Sequence, residues 1–255
     1  RKSILIMSKI SLYPEGKINK EGKLAPAVIP FTNIEFDEYL IKIKEGEFQD
    51  EVLSYRTGKI EKLKLRGVTP SGVFSYRSSK NLTQHSGFIA IDIDTKDQVR
   101  KDFDIVRQEV EKDPYTYAVH DSVSGGGGIV VYYKIIPEKH FDSFLAIEKY
   151  FFDNYKIIID KSCKNVDRYR FVSYDPDTYI NKKSKTWKTY LKKAQVEPKL
   201  NYVFSNNDLD HVFEQIAHKG YDLTNDYHDW YKIGGALQKH YGGQKGKDLF
   251  HLVSK

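Results

Sequence analysis

The stretch Phe88-Ile-Ala-Ile-Asp-Ile-Asp94 decides the fold that this sequence predicts, because apolar and acidic residues alternate along it. In a β-strand successive side chains point to opposite faces, so the three isoleucines share one face and Asp92 and Asp94 share the other. Burial of the isoleucines against a core fixes the strand and leaves two carboxylates side by side. At roughly 4 Å and an effective dielectric constant of ~20, two like charges repel by about 4 kcal/mol.

The repulsion between these carboxylates must be offset by a proton, a basic side chain or a divalent cation. Magnesium and similar hard cations are bound through carboxylates together with substrate phosphates, so phosphoryl transfer is the leading interpretation. The alternative is a strand that runs into a solvated acidic turn, since residues 94–97 read Asp-Thr-Lys-Asp. A bare D-x-D pattern does not distinguish the two.

The segments after this strand alternate between helical and extended patterns. They predict helices over residues 97–112 and from Pro137 onward, and strands over 115–119, 129–136, 156–160 and 169–174. The order β-α-β-β-α-β is that of ferredoxin-like and RRM-like domains, whose right-handed crossovers place the first strand between the third and the last. A carboxylate on a strand beside Asp92 and Asp94 completes a metal site, and Asp160, which ends Lys-Ile-Ile-Ile-Asp, is the candidate.

The whole chain is predicted to be α+β, with two domains. Residues 1–195 form a catalytic domain, made of an N-terminal α/β lobe (1–87) and a β-α-β-β-α-β palm (88–180). The lobe includes a strand over 4–12, a helix or strand over 36–44, and a strand over 62–68 with one cationic face. A lysine-rich linker or flap over 181–199 leads into a small all-α module over 196–255. Because the chain starts without methionine and stops inside a helical pattern, we expect it to be a fragment.

Composition narrows the function only slightly. The net charge is +6 and the pI is about 9.0, and 19 tyrosines and 14 phenylalanines accompany the lysines, which favours a nucleic-acid partner. The lone cysteine, Cys163, excludes an internal disulfide and suits a reducing cytoplasm. No run of 18 apolar residues is present, so we expect no membrane partner.

A serine- and glycine-rich turn is the second chemical signal. Ser122 and Ser124 offer hydroxyl donors, and the glycines at 125–128 let backbone N–H groups approach phosphate oxygens. The alternative is a loose hairpin connection. The turn does not match a Walker loop, and it lacks the helix that follows a dinucleotide fingerprint.

Basic residues near these motifs have two interpretations each. Arg168 and Arg170 alternate on a strand, where they either contact a triphosphate or form salt bridges with Asp167 or Asp175. Lys64 and Arg66 either contact phosphate or solvate a strand face, and the second reading is favoured. His120 lies on the strand that leads into the glycine turn.

Taken together, these motifs resemble the archaeo-eukaryotic primase superfamily. They are I-D-I-D at 91–94, S-x-S-G-x-G at 122–127, I-I-D at 158–160 and R-Y-R-F-V-S-Y-D-P-D at 168–177. More closely, they resemble the primase-like N-terminal domain of virulence-associated-E-type proteins on mobile elements and phages. The tail, with D-L-T-N-D-Y-H-D-W-Y-K-I-G-G-A-L at 222–237, resembles the helical primase C-terminal module.

This resemblance implies a DNA primase-polymerase with a two-metal site for Mg²⁺ or Mn²⁺. The implied metal ligands and catalytic residues are Asp92, Asp94 and Asp160, and the implied nucleotide-binding residues are His120, Ser122, Ser124, Gly125, Gly126, Gly127 and Arg168. Nucleoside triphosphates and a single-stranded DNA template are the implied partners, with a helicase domain or partner beyond residue 255. Many relatives carry a cation in or after the loop, where this chain has glycines, so His120 or an arginine substitutes or nucleotide binding is weak.

Two other functions fit the same residues. A non-catalytic RRM-like module would bind nucleic acid on its sheet, although such sheets use exposed aromatic residues where this strand carries aspartates. A metal-dependent nuclease would use similar carboxylates.

Overall fold

The computed structural model describes residues 8–18, 22–96, 98, 100–192, 206–219 and 227–254, the side chains of 206–210 and 227–230 excepted. The chain divides into two compact units, Arg1–Ala194 and Gln195–Lys255. Helices and antiparallel sheets occur in the same chain, so the predicted α+β class is confirmed. In the described part of the chain, no helix is long and apolar enough to cross a membrane.

The first unit contains twelve strands and four α-helices among the described residues. In chain order they are β1 Lys9–Tyr13, β2 Lys17–Ile18, β3 Leu24–Ala25, β4 Thr32–Glu35, α1 Phe36–Glu45, α2 Gln49–Arg56, β5 Gly67–Thr69, β6 Gly72–Phe74, β7 Leu82–His85, β8 Phe88–Ile93, α3 Phe103–Glu111, β9 Thr116–Asp121, β10 Ile129–Lys134, α4 His140–Tyr155, β11 Arg170–Phe171 and β12 Tyr179–Ile180. Short 3₁₀ turns cover Lys62–Lys64, Ser79–Asn81, Pro137–Lys139 and Lys161–Lys164. The second unit contains α5 Asn206–His218, α6 Tyr227–His240 and α7 Gly243–Val253.

The acidic strand β8 belongs to a four-stranded sheet of order β12-β9-β10-β8, which we call the central sheet. β8 and β10 run antiparallel, with Ile93 opposite Ile129 and Asp92 opposite Val130. This places the first strand of the β-α-β-β-α-β series next to the third, as the sequence predicts, but at the edge of the sheet rather than between the third and the last strand. The three isoleucines of β8 are fully buried in a core with residues of α3 and α4.

The opposite face of β8 is also buried. Phe88 and Ala90 pack into a second core shared with α1 and β1, and the Phe88 ring stacks on Phe36 with centroids 4.1 Å apart. A second sheet, of order β11-β5-β1-β4, belongs to this side. Because the N-terminal lobe covers the first half of that face, the carboxylates at the end of the strand remain next to open space.

The last strand of the series, predicted over 156–160, is not formed. The Gln98 side chain takes both backbone groups of Ile158 instead, donating to its carbonyl at 2.6 Å and accepting from its N–H at 2.9 Å. The Asp160 N–H nevertheless donates to the Asp92 carbonyl at 3.0 Å. The segment therefore lies beside β8 without a strand ladder.

Other predicted elements are shorter or different. The first helix after β8 begins at Phe103 rather than near residue 97, and residues 97 and 99 lie outside the described residues. The strand predicted over 169–174 is only Arg170–Phe171, and it pairs with β5 in the second sheet rather than with β8. The strand predicted over 62–68 is a 3₁₀ turn followed by β5. Of the strand predicted over 4–12, residues 4–7 lie outside the described residues, as do residues 193–199 of the linker predicted over 181–199.

Candidate metal and nucleotide site

The ends of β8, β9 and β11 surround a cavity of about 190 Å³. Asp92, Asp94 and Asp160 line it, and so do the Ser122–Ser124 segment and the Arg168–Phe171 segment. Residues from four separate parts of the sequence therefore meet in one place.

Two of the three carboxylates are close enough to share an ion. Asp92, Asp160 and Cys163 each offer one ligand atom within 4.8 Å of the others, and this group can hold a metal ion. Asp94 lies on the wall of the same cavity and is exposed. Asp160 is held in place as the cap of the 161–164 turn, because its carboxylate accepts from the Ser162 N–H at 2.8 Å.

Two arginines neutralise these carboxylates. Arg170 donates to Asp92, and Arg168 donates to Asp160 at 2.8 Å and lies 3.8 Å from Asp92. The interpretation that these arginines form salt bridges is therefore supported, but the partners Asp167 and Asp175 were wrong. The repulsion between acidic groups is offset by basic side chains in this structure.

The two arginines differ in how firmly they are held. Arg170 has only 6% of its side chain exposed, and it also donates to the Ala90 carbonyl at 2.9 Å and to Cys163 Sγ at 3.2 Å. Burial lowers the pKa of its guanidinium to about 10, which leaves it charged at neutral pH. Arg168 has 38% of its side chain exposed. Arg168 is therefore the arginine that can exchange partners at lower cost.

The oxygen donors of this cluster fit a hard divalent cation better than its sulfur fits a soft one. Burial raises the pKa of the Cys163 thiol, so the sulfur stays protonated and is a poor ligand. Asp92 and Asp160 supply carboxylate oxygens, which suit Mg²⁺ and Mn²⁺. Cys163 was not among the predicted site residues, and nothing in its sequence context distinguishes it.

The glycine turn brings its serines to the cavity wall. Gly125, Gly126 and Gly127 have φ values of +65°, +67° and +84°, a left-handed conformation that glycine adopts without strain. The turn is closed by the Ser122 N–H, which donates to the Gly128 carbonyl at 2.8 Å. Three glycines thus shape the turn, while residues 122–124 form the wall itself.

Arg56, at the end of α2, holds this turn from behind. Its guanidinium donates to the carbonyls of Val123 at 3.1 Å and Ser122 at 3.0 Å, and to that of Tyr174 at 3.2 Å. A cation therefore does lie at the loop, but its hydrogen-bond donors are occupied by backbone carbonyls. Sequence reasoning missed Arg56 because it lies 66 residues from Ser122 in the chain.

His120 lines the cavity but does not supply the missing loop cation. It is 1% exposed, and burial lowers its pKa to about 4, so the ring is neutral at pH 7. Its Nδ1 lies 2.7 Å from the Asp121 carbonyl, which can only accept, so Nδ1 carries the proton and Nε2 accepts from the Tyr132 hydroxyl at 2.9 Å. The histidine is a neutral, hydrogen-bonded part of the floor.

The wall formed by residues 168–170 carries polar atoms without protein partners. Within the described residues, Arg168 Nε, Tyr169 Oη and Arg170 Nε are buried and lack a hydrogen-bond partner. Leaving a buried polar atom unsatisfied costs about 1–3 kcal/mol. All three residues line the cavity, and their buried atoms lack a protein partner that would offset this cost.

Lys62 and Phe171 also line the cavity, although the sequence singled out Lys64 and Arg66 instead. Arg66 is paired with Glu51 at 2.7 Å, and Lys64 lines a different hollow. Lys62 was missed because the predicted strand over 62–68 placed it on the same cationic face as Lys64. The 3₁₀ turn separates the two.

Comparison with known protein families gives a match over part of the chain. Residues 61–180 match the family model described as BT4734-like, N-terminal domain. This BT4734-like segment is just under half of the chain and contains every predicted site residue as well as Lys62 and Phe171. The description of the BT4734-like domain names no activity. Neither a curated protein nor a solved structure matches the chain.

The predicted resemblance to the archaeo-eukaryotic primase superfamily, and to virulence-associated-E-type proteins, was wrong. The matching family model is that of the BT4734-like domain, and no primase family model matches. The motifs that carried the resemblance are short, and each occurs in many unrelated contexts. The function of the cavity must therefore be argued from its own geometry.

Proposed function

We propose that this chain is a metal-dependent nucleotidyltransferase that makes or extends DNA strands on a single-stranded template. The observation that supports it best is the meeting of three carboxylates, two arginines and the Ser122–Ser124 wall in one cavity. Carboxylates suit divalent cations, and arginines and hydroxyl groups suit phosphate oxygens. A metal-bound nucleoside triphosphate requires both sets together.

In this proposal Asp92, Asp94 and Asp160 hold the metal. When bound, Mg²⁺ or Mn²⁺, as a pair in the two-metal arrangement, neutralises phosphate charge and activates the attacking hydroxyl. Arg170 remains on Asp92 and keeps that carboxylate oriented, because it is buried and has two further acceptors.

Arg168 has a different role, as the cation that turns from carboxylate to phosphate. Its exposed fraction of 38% permits the movement, and a metal held by Asp160 would replace the charge that the arginine supplies there. The guanidinium then contacts the triphosphate, where it stabilises the charge that builds up as pyrophosphate leaves. Ser122 and Ser124 donate hydroxyl hydrogen bonds to the same phosphates.

The net charge of +6 supports a nucleic-acid partner for the same reaction. A single-stranded template leaves its bases free to select nucleotides. We place the reaction in the cytoplasm, where triphosphates are made.

The experiment is a strand-extension assay on the purified chain with a labelled primer, a single-stranded template, Mg²⁺ or Mn²⁺ and each nucleotide type. Asp94→Asn is the sharpest variant, because Asp94 is exposed and lines the cavity. It should lower the rate at least about 100-fold, an effect of roughly 2.7 kcal/mol on the barrier. Asp153→Asn, an exposed aspartate on α4, is the matched control and should leave the rate unchanged.

Absence of nucleotide incorporation by the folded wild-type chain, with either metal and either nucleotide type, would refute the proposal. Loss of labelled DNA without added nucleotide would point to a nuclease instead. Circular dichroism of each variant confirms that the fold is retained.

One observation favours a non-catalytic nucleic-acid-binding module as the second candidate. Asp92 and Asp160 already have arginine partners, so the cluster is electrostatically satisfied without a metal. In that case single-stranded DNA binds equally well in the presence of a chelator, and calorimetric titration with Mn²⁺ gives no binding heat.

A further inference from the structure

One part of the cavity wall, formed by Lys62 and Phe171, has a distinct chemical character. Lys62 comes from the 3₁₀ turn of the N-terminal lobe and Phe171 from β11, and both line the cavity that contains Asp92 and Asp160. The Lys62 ammonium group lies 5.5 Å from the centroid of the Phe171 ring. A cation and an aromatic ring thus meet at one edge of the site.

Lys62 is available for a ligand. It is exposed, and among the described residues no carboxylate forms an ion pair with it. Two basic neighbours show the contrast: Arg66 is paired with Glu51, and Lys64 lines a separate hollow with Pro14 and Phe31. The Lys62 ammonium group lies beside the Phe171 ring, which lines the same cavity.

The charges of the cavity show what this cation is for. Three carboxylates give −3, and Arg168, Arg170 and Lys62 give +3, so the lining is neutral as it stands. Binding of divalent cations makes the site positive by their full charge. A polyphosphate then complements the charge of the site, and Lys62 supplies a further cationic contact for it.

Phe171 adds selectivity that phosphate contacts cannot provide. Its ring meets Tyr169 edge to face, with centroids 5.2 Å apart at 84°, so the orientation of the ring is fixed by packing. Nucleobases stack on aromatic side chains with a gain of about 1–3 kcal/mol per base. A ligand with both a phosphate and a planar base matches this wall, whereas inorganic pyrophosphate does not.

We infer that Lys62 and Phe171 form the nucleotide-binding wall of the site, where Lys62 pairs with a phosphate of the incoming triphosphate and Phe171 contacts its base. This inference rests on the proposed function and deepens it, because it names the N-terminal lobe as part of the substrate site.

The test is calorimetric binding of ATP and of adenosine to the full chain with Mg²⁺, with circular dichroism to confirm folding. Lys62→Ala should weaken ATP about tenfold and leave adenosine unchanged, and Lys62→Arg should restore most of the loss. Lys64→Ala is the matched control, two residues away on another hollow, and should bind ATP as the wild type does. Phe171→Leu should weaken ATP and adenosine together, while Phe171→Tyr should retain both.

The outcomes separate the two proposals. If the wild type binds ATP and Lys62→Ala matches Lys64→Ala, the wall is not where the phosphates bind and this inference fails while the proposed function stands. Equal binding of ATP by Phe171→Leu and wild type removes the base contact in the same way. If the wild type binds no ATP at all, this inference fails, and the strand-extension assay with each nucleotide type decides separately whether the proposed function stands.

Discussion

Replacement of Asp92 by asparagine should destabilise the first unit, because it removes the carboxylate partner of a buried guanidinium. Only 6% of the Arg170 side chain is exposed, and its remaining acceptors are the Ala90 carbonyl and the neutral thiol of Cys163. Removing one member of a buried ion pair costs about 3–5 kcal/mol, since the other charge is left uncompensated. At roughly 2–4 °C per kcal/mol for a domain of this size, the melting temperature should fall by about 6–20 °C.

A double-mutant cycle measures this coupling directly. Arg170→Met removes the charge at similar volume, and the double variant Asp92→Asn/Arg170→Met removes both charges. We expect the double variant to be more stable than the sum of the single losses predicts, by at least about 2 kcal/mol. Urea unfolding followed by Trp187 fluorescence reports on the first unit, because Trp187 is buried in its core. A Trp230→Phe background removes the other tryptophan signal.

A loss below about 1 kcal/mol for Asp92→Asn would refute this reasoning, because it would mean that the carboxylate is not coupled to the buried arginine. A large loss of stability in Asp92→Asn affects how the activity of Asp92 variants is interpreted. Any activity lost in an Asp92 variant is then confounded by instability, and this is why exposed Asp94 is the better residue for testing catalysis.

Three further predictions concern the scaffold of the site. Arg56→Ala removes the hydrogen bonds that hold the Ser122–Ser124 wall, so it should raise KM for the triphosphate about tenfold with a smaller change in kcat. Arg56→Lys should recover part of the lost affinity. An equal change in KM and kcat would contradict a positioning role for Arg56. Gly67→Ala places a Cβ 2.1 Å from Tyr169 Cζ and should cost at least about 2 kcal/mol in urea unfolding, whereas Gly58→Ala, with a φ of +73° but open space, should cost about 1 kcal/mol. The His85–His140 pair, 3.1 Å apart and near Glu138, makes stability depend on pH, because burial lowers the pKa values to about 4 and about 3. The unfolded chain binds more protons than the folded chain below about pH 6.5, so the stability is complete above that pH and is lost as the pH falls toward 4. Between pH 7 and pH 5 the buried His140 alone should lower the free energy of unfolding by about 2 kcal/mol. If His140→Gln shows the same dependence of stability on pH as the wild type, the histidine is not responsible.

The strand at the centre of the site could be predicted because its pattern is local. Alternation of isoleucine with alanine and aspartate determines which face each side chain of β8 occupies, and the buried isoleucines confirm that assignment. The turn at 122–128 could also be predicted from local sequence, because its run of glycines permits the three successive left-handed residues that form it.

The parts that failed depend on partners far away in the chain. Arg170 pairs with a carboxylate 78 residues away in the sequence. The sequence interpretation assigned it Asp167 or Asp175 instead, because these aspartates are close to it in the chain. The missing strand over 156–160 fails for a related reason, because a single glutamine side chain replaces the backbone ladder at Ile158. No periodicity in the sequence marks either event.

Because arginines already pair with these carboxylates, a metal ion would have to replace an arginine as their partner. A metal at Asp160 must displace an arginine that is more than one-third exposed, and exposed ion pairs are worth only about 0–1 kcal/mol. Displacing Arg170 from Asp92 would instead strand a buried charge, which is several times more costly. The cluster is therefore asymmetric: Asp92 is paired with a buried arginine, and Asp160 is paired with a partly exposed one. This asymmetry suits the proposed role of Arg168, whose guanidinium would pair with Asp160 before the substrate binds and with a phosphate of the substrate afterwards.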